Sequence, residues 1–410
     1  MGDKRIFRDR GNALRRLALF LSFLISGGLL LFPRLPVLLM LILLCVTVTG
    51  LRLPPGRRLW PLYALLGAVL LISLARTGPV HVESLAIRFA NFMGALALLN
   101  VYLQASPGAL ARDLYAILRW MAIQAVATVV LAHAVGFLFV PVSFADNTFQ
   151  SLLLVFNYHV MIEDAGGLIR PDGFFFEPGV FQFYLNLYLY LALFVFRDPR
   201  HVALAVMAVL STQSTTGILI CMLLLGTALL QRLGAGGLRR KVATALVALV
   251  VAPPVVYLGY GNVSDKLFGE TQGSSWAREY DLFTGLNVIA ENPLLGIGFD
   301  HDRYLSASGR LGYADTLLKD ESVEDRPTSN GLVYLTYSLG IPMAMLLFLC
   351  MFRQTLFHHR VLIGLWLSLS MFGEAIVFTP FVMMVIFSAF LARRPSVVAA
   401  RVRSARVPTT

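Results

Sequence analysis

Apolar runs long enough to cross a hydrocarbon core of about 30 Å recur along the whole chain, separated by short polar breaks. Read against those breaks, they predict membrane spans over residues 17–32, 35–49, 60–74, 85–103, 119–140 and 178–196, then over 242–260, 332–351, 361–377 and 381–391. Between the two groups, 202–210 and 218–230 are also apolar, but the polar run Ser211-Thr212-Gln213-Ser214-Thr215-Thr216 interrupts them. Lipid offers the backbone no hydrogen-bond partners, so spans of this kind are expected to be helices. The first run follows Lys4, Arg5, Arg8, Arg10, Arg15 and Arg16, lacks a small-residue cleavage site and leads straight into another apolar segment. It reads as a span and not as a removable signal.

Lys and Arg near span ends favour the cytoplasm, and this rule decides how 202–230 is threaded. Taken as a hairpin of two short spans, it leaves Arg52, Arg57, Arg58, Arg112, Arg119, Arg197, Arg200, Arg232, Arg239, Arg240, Lys241, Arg353, Arg360, Arg393 and Arg394 on the side of the basic amino terminus. The other side keeps Arg34, Arg76, Arg170, Lys266, Arg278, Arg303, Arg310, Lys319 and Arg326. A single crossing would spoil that division. The expected fold is an all-α polytopic membrane protein of about 12 transmembrane helices with both termini cytoplasmic. Residues 1–260 carry nine spans, 261–330 form a large external loop, 331–391 carry three more spans, and 392–410 form a basic tail.

Two external segments, 141–176 and 261–330, are too long to be simple turns, and loops of that length are usually functional or disordered. In the second, Trp276, Tyr280, Leu282, Phe283, Leu286 and Ile289 recur at helical spacing and predict an amphipathic helix over 275–290.

Composition sharpens the class. Of 410 residues, 57% are hydrophobic and 14% charged, against roughly 25% charged in a soluble domain, so a soluble fold is excluded. The formal charge of +11 is accounted for by the orientation rule and calls for no nucleic-acid partner. Cys45, Cys221 and Cys350 lie far apart in apolar segments with no histidine at ligand spacing, which implies neither a disulfide nor a metal site, and no motif calls for a cofactor.

Ionisable residues within spans are costly and are functional candidates. Arg88 falls near the outer end of the fourth span, Glu177 at the outer end of the sixth and Glu374 in the outer part of the eleventh, so three helices bring charge to one depth. The densest signal is Arg170-Pro171-Asp172-Gly173-Phe174-Phe175-Phe176-Glu177-Pro178-Gly179. Pro178 suits the first turn of a helix, which places the Glu177 carboxylate at its positive end. Farther along stand Arg278, whose forked donors suit a phosphate, and Asn292-Pro293-Leu294-Leu295-Gly296-Ile297-Gly298. No strand–helix unit surrounds that Gly-x-Gly, so a tight turn ending a helix is the better local reading. Thr328-Ser329-Asn330-Gly331 resembles an ordinary helix start.

In order and spacing, these residues resemble the bacterial O-antigen polymerase and O-antigen ligase superfamily, which includes Wzy-type exopolysaccharide polymerases. The resemblance rests on Arg170…Gly173-Phe174…Glu177-Pro178-Gly179, on Ser211…Ser214-Thr215-Thr216-Gly217, on Arg278 with 292–298, and on Ser329-Asn330-Gly331, covering about residues 170 to 345. It implies a GT-C-like fold in the bacterial inner membrane and an active site facing the periplasm. The implied substrates are donor and acceptor glycans on undecaprenyl diphosphate, joined without metal or nucleotide. Whether a chain-length regulator is also needed stays open. Ligases usually carry a histidine before the asparagine; here that position is Ser329, which favours a polymerase. The RX10G pattern of some polymerases does not start at Arg170 or Arg278. On this resemblance Arg170 and Arg278 hold the diphosphate with Arg88, Glu177 is a candidate base or a partner that positions Arg170, and Asp172, Ser214, Ser329, Asn330 and Glu374 contact substrate.

Two other functions fit the hydropathy. A ligase-like transferase would move finished glycan onto another acceptor. A transporter or flippase would share the span count, but transporters often show paired halves and broken helices at mid-membrane, whereas here the charges sit near one face and one loop dominates.

Overall fold

Several polar side chains are buried within the apolar core of this chain, and many large apolar ones are exposed on its surface. Asn91, Asn100, Gln182, Asn186 and Thr284 are buried, while Leu71, Trp120, Leu230 and Met345 are exposed. That arrangement suits lipid as the solvent. The computed structural model describes residues 2–27, 34–50, 56–77, 82–144, 147–161, 168–175, 177–235, 272–310 and 328–391. Five helices in it are long and apolar enough to cross a membrane, over Leu59–Arg76, Glu83–Gln104, Ala109–Leu138, Pro178–Phe196 and Thr215–Leu233. The expected span at 242–260 and the tail at 392–410 lie outside the described residues, as does much of 261–330.

The first five helices are α1 (Gly2–Gly27), α2 (Arg34–Thr49), α3 (Gly56–Arg76), α4 (Val82–Gln104) and α5 (Ala109–Val135). At one end of the bundle Asp113 of α5, almost fully buried, accepts from Arg15 Nε at 2.6 Å and Arg16 Nε at 2.9 Å of α1. Tyr102 Oη of α4 reaches the same carboxylate at 3.3 Å. One buried acid therefore ties three helices together.

The segment from 141 to 176, expected as a loop in an all-α protein, holds a four-stranded antiparallel meander: β1 (Val140–Phe144), β2 (Asn147–Leu152), β3 (Phe156–Met161) and β4 (Leu168–Pro171). This corrects the all-α expectation. The turn between β2 and β3 is made by Leu153 and Leu154, both at positive φ, where glycine or asparagine normally signals a hairpin. Two leucines in those positions disguise the turn as another apolar run. The sheet packs on α5, with Phe139 and Tyr158 against Ala132.

Helix α6 (Pro178–Tyr190) is buried at every residue and ends in a π-helical turn over Leu191–Phe196. It is the central post of the bundle. The ambiguous 202–230 stretch is a hairpin of two helices, α7 (Pro199–Ser211) and α8 (Thr215–Ala235). Its polar run forms the apex, where Gln213 takes a positive φ. Gly217 of α8 sits against the Gln182 side chain, and Asn186 of α6 donates to the Gly217 carbonyl at 3.1 Å. Small residues permit such close helix approach in membranes.

After the undescribed stretch come α9 (Gln272–Glu291) and α10 (His301–Arg310); α9 covers the helix expected over 275–290 but lacks the expected apolar face, since Asp281 and Thr284 are buried while Phe283 and Leu286 are exposed. The span expected over 332–351 is two helices, α11 (Gly331–Leu339) and α12 (Ile341–Arg353), broken at Gly340. Residues 292–298 answer the break. The Tyr337 carbonyl accepts from Ile297 N at 2.8 Å, the Ser338 carbonyl from Gly298 N at 3.0 Å, and Ile341 N donates to the Pro293 carbonyl at 2.8 Å. Arg76 at the end of α3 braces the same turn, donating to the Gly296 carbonyl at 2.9 Å and to Asn292 Oδ1 at 2.5 Å. The Gly-x-Gly is thus a backbone dock for a broken helix.

A second break follows α13 (Arg360–Gly373): residues 374–379 are not helical, and α14 (Pro380–Phe387) then runs buried at every residue beside α1 and α4. Glu374, expected inside a span, is the extended residue that ends α13.

Gly340 has φ +79°, and a Cβ there would collide with the Leu294 carbonyl. Gly340→Ala is expected to lower stability by on the order of 3 kcal/mol, read as a lower melting temperature in detergent, whereas Gly226→Ala, where a Cβ meets nothing within 4 Å, should melt like the parent. Asp113→Asn strips the shared acid from Arg15 and Arg16 and is expected to cost about 3 kcal/mol in the same assay; unchanged melting would show that the triad carries no stability.

Candidate active site

The sheet and the helix breaks meet at one place. Strand β4 delivers Arg170, whose Nε donates to the Thr212 carbonyl at the α7–α8 apex at 3.1 Å. Two residues on, Asp172 is fully buried, held by its backbone N–H donating to the Asn157 carbonyl at 2.9 Å. The chain then turns into α6, with Glu177 exposed at the N-cap and Pro178 in the first turn. Glu177 makes no side-chain cap hydrogen bond; its backbone carbonyl accepts from Val180 N at 3.2 Å. Its carboxylate therefore stays available at the positive end of the helix.

A second carboxylate reaches that end from across the bundle. A Cβ added at Gly179 would land on the Glu374 side chain, so the glycine after Pro178 is what lets Glu374, itself buried, lie against the first turn of α6. The Glu374 carbonyl in turn lies close to Gly331 at the start of α11.

Arg170 feels the charges of Asp172, Glu177, Arg278 and Glu374. Burial lowers its pKa, Asp172 and Glu177 work against that, and Arg278 adds to it. The two arginines that the sequence singles out, from β4 and α9, are therefore close enough for the charge of Arg278 to act on Arg170. Placing two guanidinium groups together at a partly buried site costs energy unless an anion shares the space.

The other expected residues lie around this centre. Asp281, one turn beyond Arg278 on α9 and buried, accepts from Ser329 N at 2.9 Å and Ser329 Oγ at 2.6 Å. Asn330 caps α11, its Oδ1 accepting from Leu332 N and Val333 N, both at 3.1 Å. Ser214 caps α8 through Gly217 N at 3.3 Å. Ser329, Asn330 and Ser214 thus fix the frame. Arg88 stands apart: its guanidinium lies 5.3 Å from the centre of the Tyr334 ring, and its charge acts on Arg34, not among the groups acting on Arg170.

Two functional candidates escape the sequence reading. Asp281 was hidden as one acid on a mixed helix, although its three-residue spacing from Arg278 puts both on one face. His159 lies in the segment taken for a loop. It pairs across the sheet with Arg170, so the two side chains share a face, and its Nδ1 donates to Asp172 Oδ2 at 2.5 Å. Burial pushes the Asp172 carboxyl up to about 6, despite the hydrogen bond and charge of His159 and the charge of Arg170. Its second oxygen, Oδ1, is buried with no hydrogen-bond partner among the described residues. Burial would lower the His159 pKa, but the Asp172 hydrogen bond and charge outweigh it and raise the imidazole above its ordinary value. Among the described residues no group of histidine, cysteine and acidic side chains could hold a metal ion.

Residues 201–349 match the O-antigen ligase family, Wzy_C. No curated protein and no solved structure matches the chain. The matched stretch includes the α7–α8 apex that receives Arg170, the helix that carries Arg278, the 292–298 dock and the capped start of α11. Over that stretch, a little over a third of its length, the chain is similar to the O-antigen ligase family.

Proposed function

We propose that this membrane glycan-processing enzyme joins oligosaccharide repeat units carried on undecaprenyl diphosphate, elongating a surface polysaccharide at the periplasmic face of the bacterial inner membrane. The reading includes a GT-C-like bundle of about twelve spans with both termini in the cytoplasm. Its main support is the meeting of Arg170 and Arg278, from separate elements, beside Asp172, Glu177 and Glu374 at the mouth of α6.

The chemistry asks little more than that. The acceptor hydroxyl attacks the anomeric carbon of the donor sugar, the bond from that carbon to the diphosphate oxygen breaks, and the electron pair leaves with the lipid diphosphate. Charge grows on the departing oxygen, and preorganised cations stabilise it more than they stabilise the ground state. Arg170 and Arg278 grip the diphosphate, with Glu177 and Glu374 setting the orientation of the guanidinium groups. Arg88, under Tyr334 and beside Arg34, serves the lipid-linked substrate at a second place on the path.

Polymerisation is favoured over single transfer by Ser329, which stands where ligases of the resembled superfamily usually carry histidine and whose hydroxyl is engaged by Asp281. A ligase would append one finished chain to its acceptor and stop.

Purified protein in nanodiscs, given one undecaprenyl-diphosphate-linked oligosaccharide as donor and acceptor, is expected to yield a ladder of lengths on a gel. A single added unit would move the assignment to a ligase, and transport of the labelled substrate without elongation would move it to a flippase. Arg278→Lys and Arg170→Lys retain charge but lose the fork, and each is expected to lower elongation about 100-fold or more. Near-normal ladders from both lysine variants would remove the proposed diphosphate grip.

A further inference from the structure

The reaction needs a group to accept the proton of the attacking hydroxyl, and the sheet holds one beside the arginine pair. We propose that His159 is that base and that Asp172 is its positioning residue. This rests on the group-transfer reading above and adds to it a residue outside the 201–349 family match.

The geometry begins with register. His159 of β3 is paired with Arg170 of β4, and residues directly opposite in an antiparallel pair hold their Cβ atoms about 5 Å apart on one face. A histidine in this position is one side chain away from the guanidinium assigned to the leaving diphosphate. Asp172, two residues beyond Arg170, reaches the Nδ1 edge of the imidazole at 2.5 Å. A carboxylate accepting from Nδ1–H fixes the tautomer and leaves the lone pair on Nε2, on the far edge of the ring.

Burial divides the roles. Asp172 is 0% exposed, whereas the His159 side chain is 24% exposed; the acid cannot meet a sugar, and the imidazole can. The loop that carries Asp172 is itself clamped, with Asn157 Nδ2 donating to the Gly173 carbonyl at 2.8 Å and Ser151 Oγ donating to Asn157 Oδ1 at 2.6 Å. That clamp limits the freedom of the aspartate to follow the ring away from its place. Around His159 stand Asp172, Arg170 and Glu177 as charged groups, with the Phe149 ring centre 6.3 Å away. Asp172 and Glu177 favour the imidazolium that forms when the proton arrives, and Arg170 opposes it.

The step balances. As the acceptor oxygen bonds to the anomeric carbon, its proton passes to His159 Nε2, and the sugar–diphosphate bond breaks with its electrons going to the diphosphate. The imidazolium then returns the proton to water or to the departing diphosphate, restoring the neutral ring. Asp172 stays ionised throughout and stabilises the cation.

The neutral ring is the active form, so the rate should fall as pH drops through the His159 pKa, which Asp172 sets above the ordinary imidazole value. The test measures elongation kinetics of the full chain in nanodiscs against pH, with the lipid-linked oligosaccharide as substrate. His159→Gln is expected to lower kcat about 100-fold or more with KM little changed, and to abolish the acid limb. Asp172→Asn should lower kcat and move the acid limb to lower pH, a displacement that a merely structural role would not produce. His159→Ala should regain rate when imidazole is added. Melting temperature and binding of undecaprenyl diphosphate should match the parent for His159→Gln. If His159→Gln elongates within threefold of the parent with the same acid limb, or loses diphosphate binding along with rate, the base assignment is wrong. Loss of elongation in Arg278→Lys alongside a normal His159→Gln would sink this inference and leave the group-transfer reading standing. A parent protein with no transfer from any lipid-linked donor would sink both.

Discussion

A helix interrupted inside a packed bundle leaves buried carbonyl and N–H groups, so another part of the chain has to supply their partners. This constraint organises the molecule. The break at Gly340 is answered by residues 292–298, which lend and accept backbone hydrogen bonds at Tyr337, Ser338 and Ile341. The apex at 212–214 is answered by Arg170, which donates to the Thr212 carbonyl. The break after α13 leaves Glu374 against the first turn of α6. Each repair joins segments distant in sequence, and together they draw β4, α6, α9, α11 and the end of α13 to one site.

The same repairs decide which side chains are free for chemistry. Asn330, Ser214 and Thr212 lie in the family-like motifs, yet their geometry is that of caps and acceptors at helix ends. Ser329 is engaged by Asp281. Arg170 donates from Nε to the apex, which fixes the plane of its guanidinium, and a planar fork held in this way is a geometry lysine cannot reproduce. It explains why an arginine emerges from a short edge strand where packing alone would ask for nothing charged.

Much of this was legible in the sequence, and the reasons differ from element to element. Hydropathy located the five helices long and apolar enough to cross a membrane, because lipid would impose one simple rule on each of them. The charge rule resolved 202–230 as a hairpin, and α7 and α8 are two helices. Pro178 placed the start of α6, since a proline fits the first turn of a helix better than its interior. Hydropathy failed where the chain satisfies its backbone by unusual means. A long apolar run over 332–351 conceals Gly340, because the partners that permit the break come from residues 292–298. The meander at 140–171 stayed hidden because its turn is two leucines at positive φ. His159 was lost with it: once a segment is taken for a loop, no register exists to set one side chain opposite another. Arg170 and Arg278 were found as residue types, but their meeting depends on contacts between elements that no local pattern encodes.

In the proposed reaction each cycle ends with lipid diphosphate held by the cations that stabilised its departure, so that grip has to be released. A site that held the dianion with arginines alone would bind the leaving lipid diphosphate as tightly as the donor. Carboxylates beside the guanidinium groups lower that affinity, and here Asp172, Glu177 and Glu374 all act on Arg170. In the proposed cycle the attraction for the diphosphate is greatest while charge develops in the transition state and is opposed by the acids afterwards. The acids around Arg170 are thus compatible with the proposed diphosphate site, whose affinity they would temper.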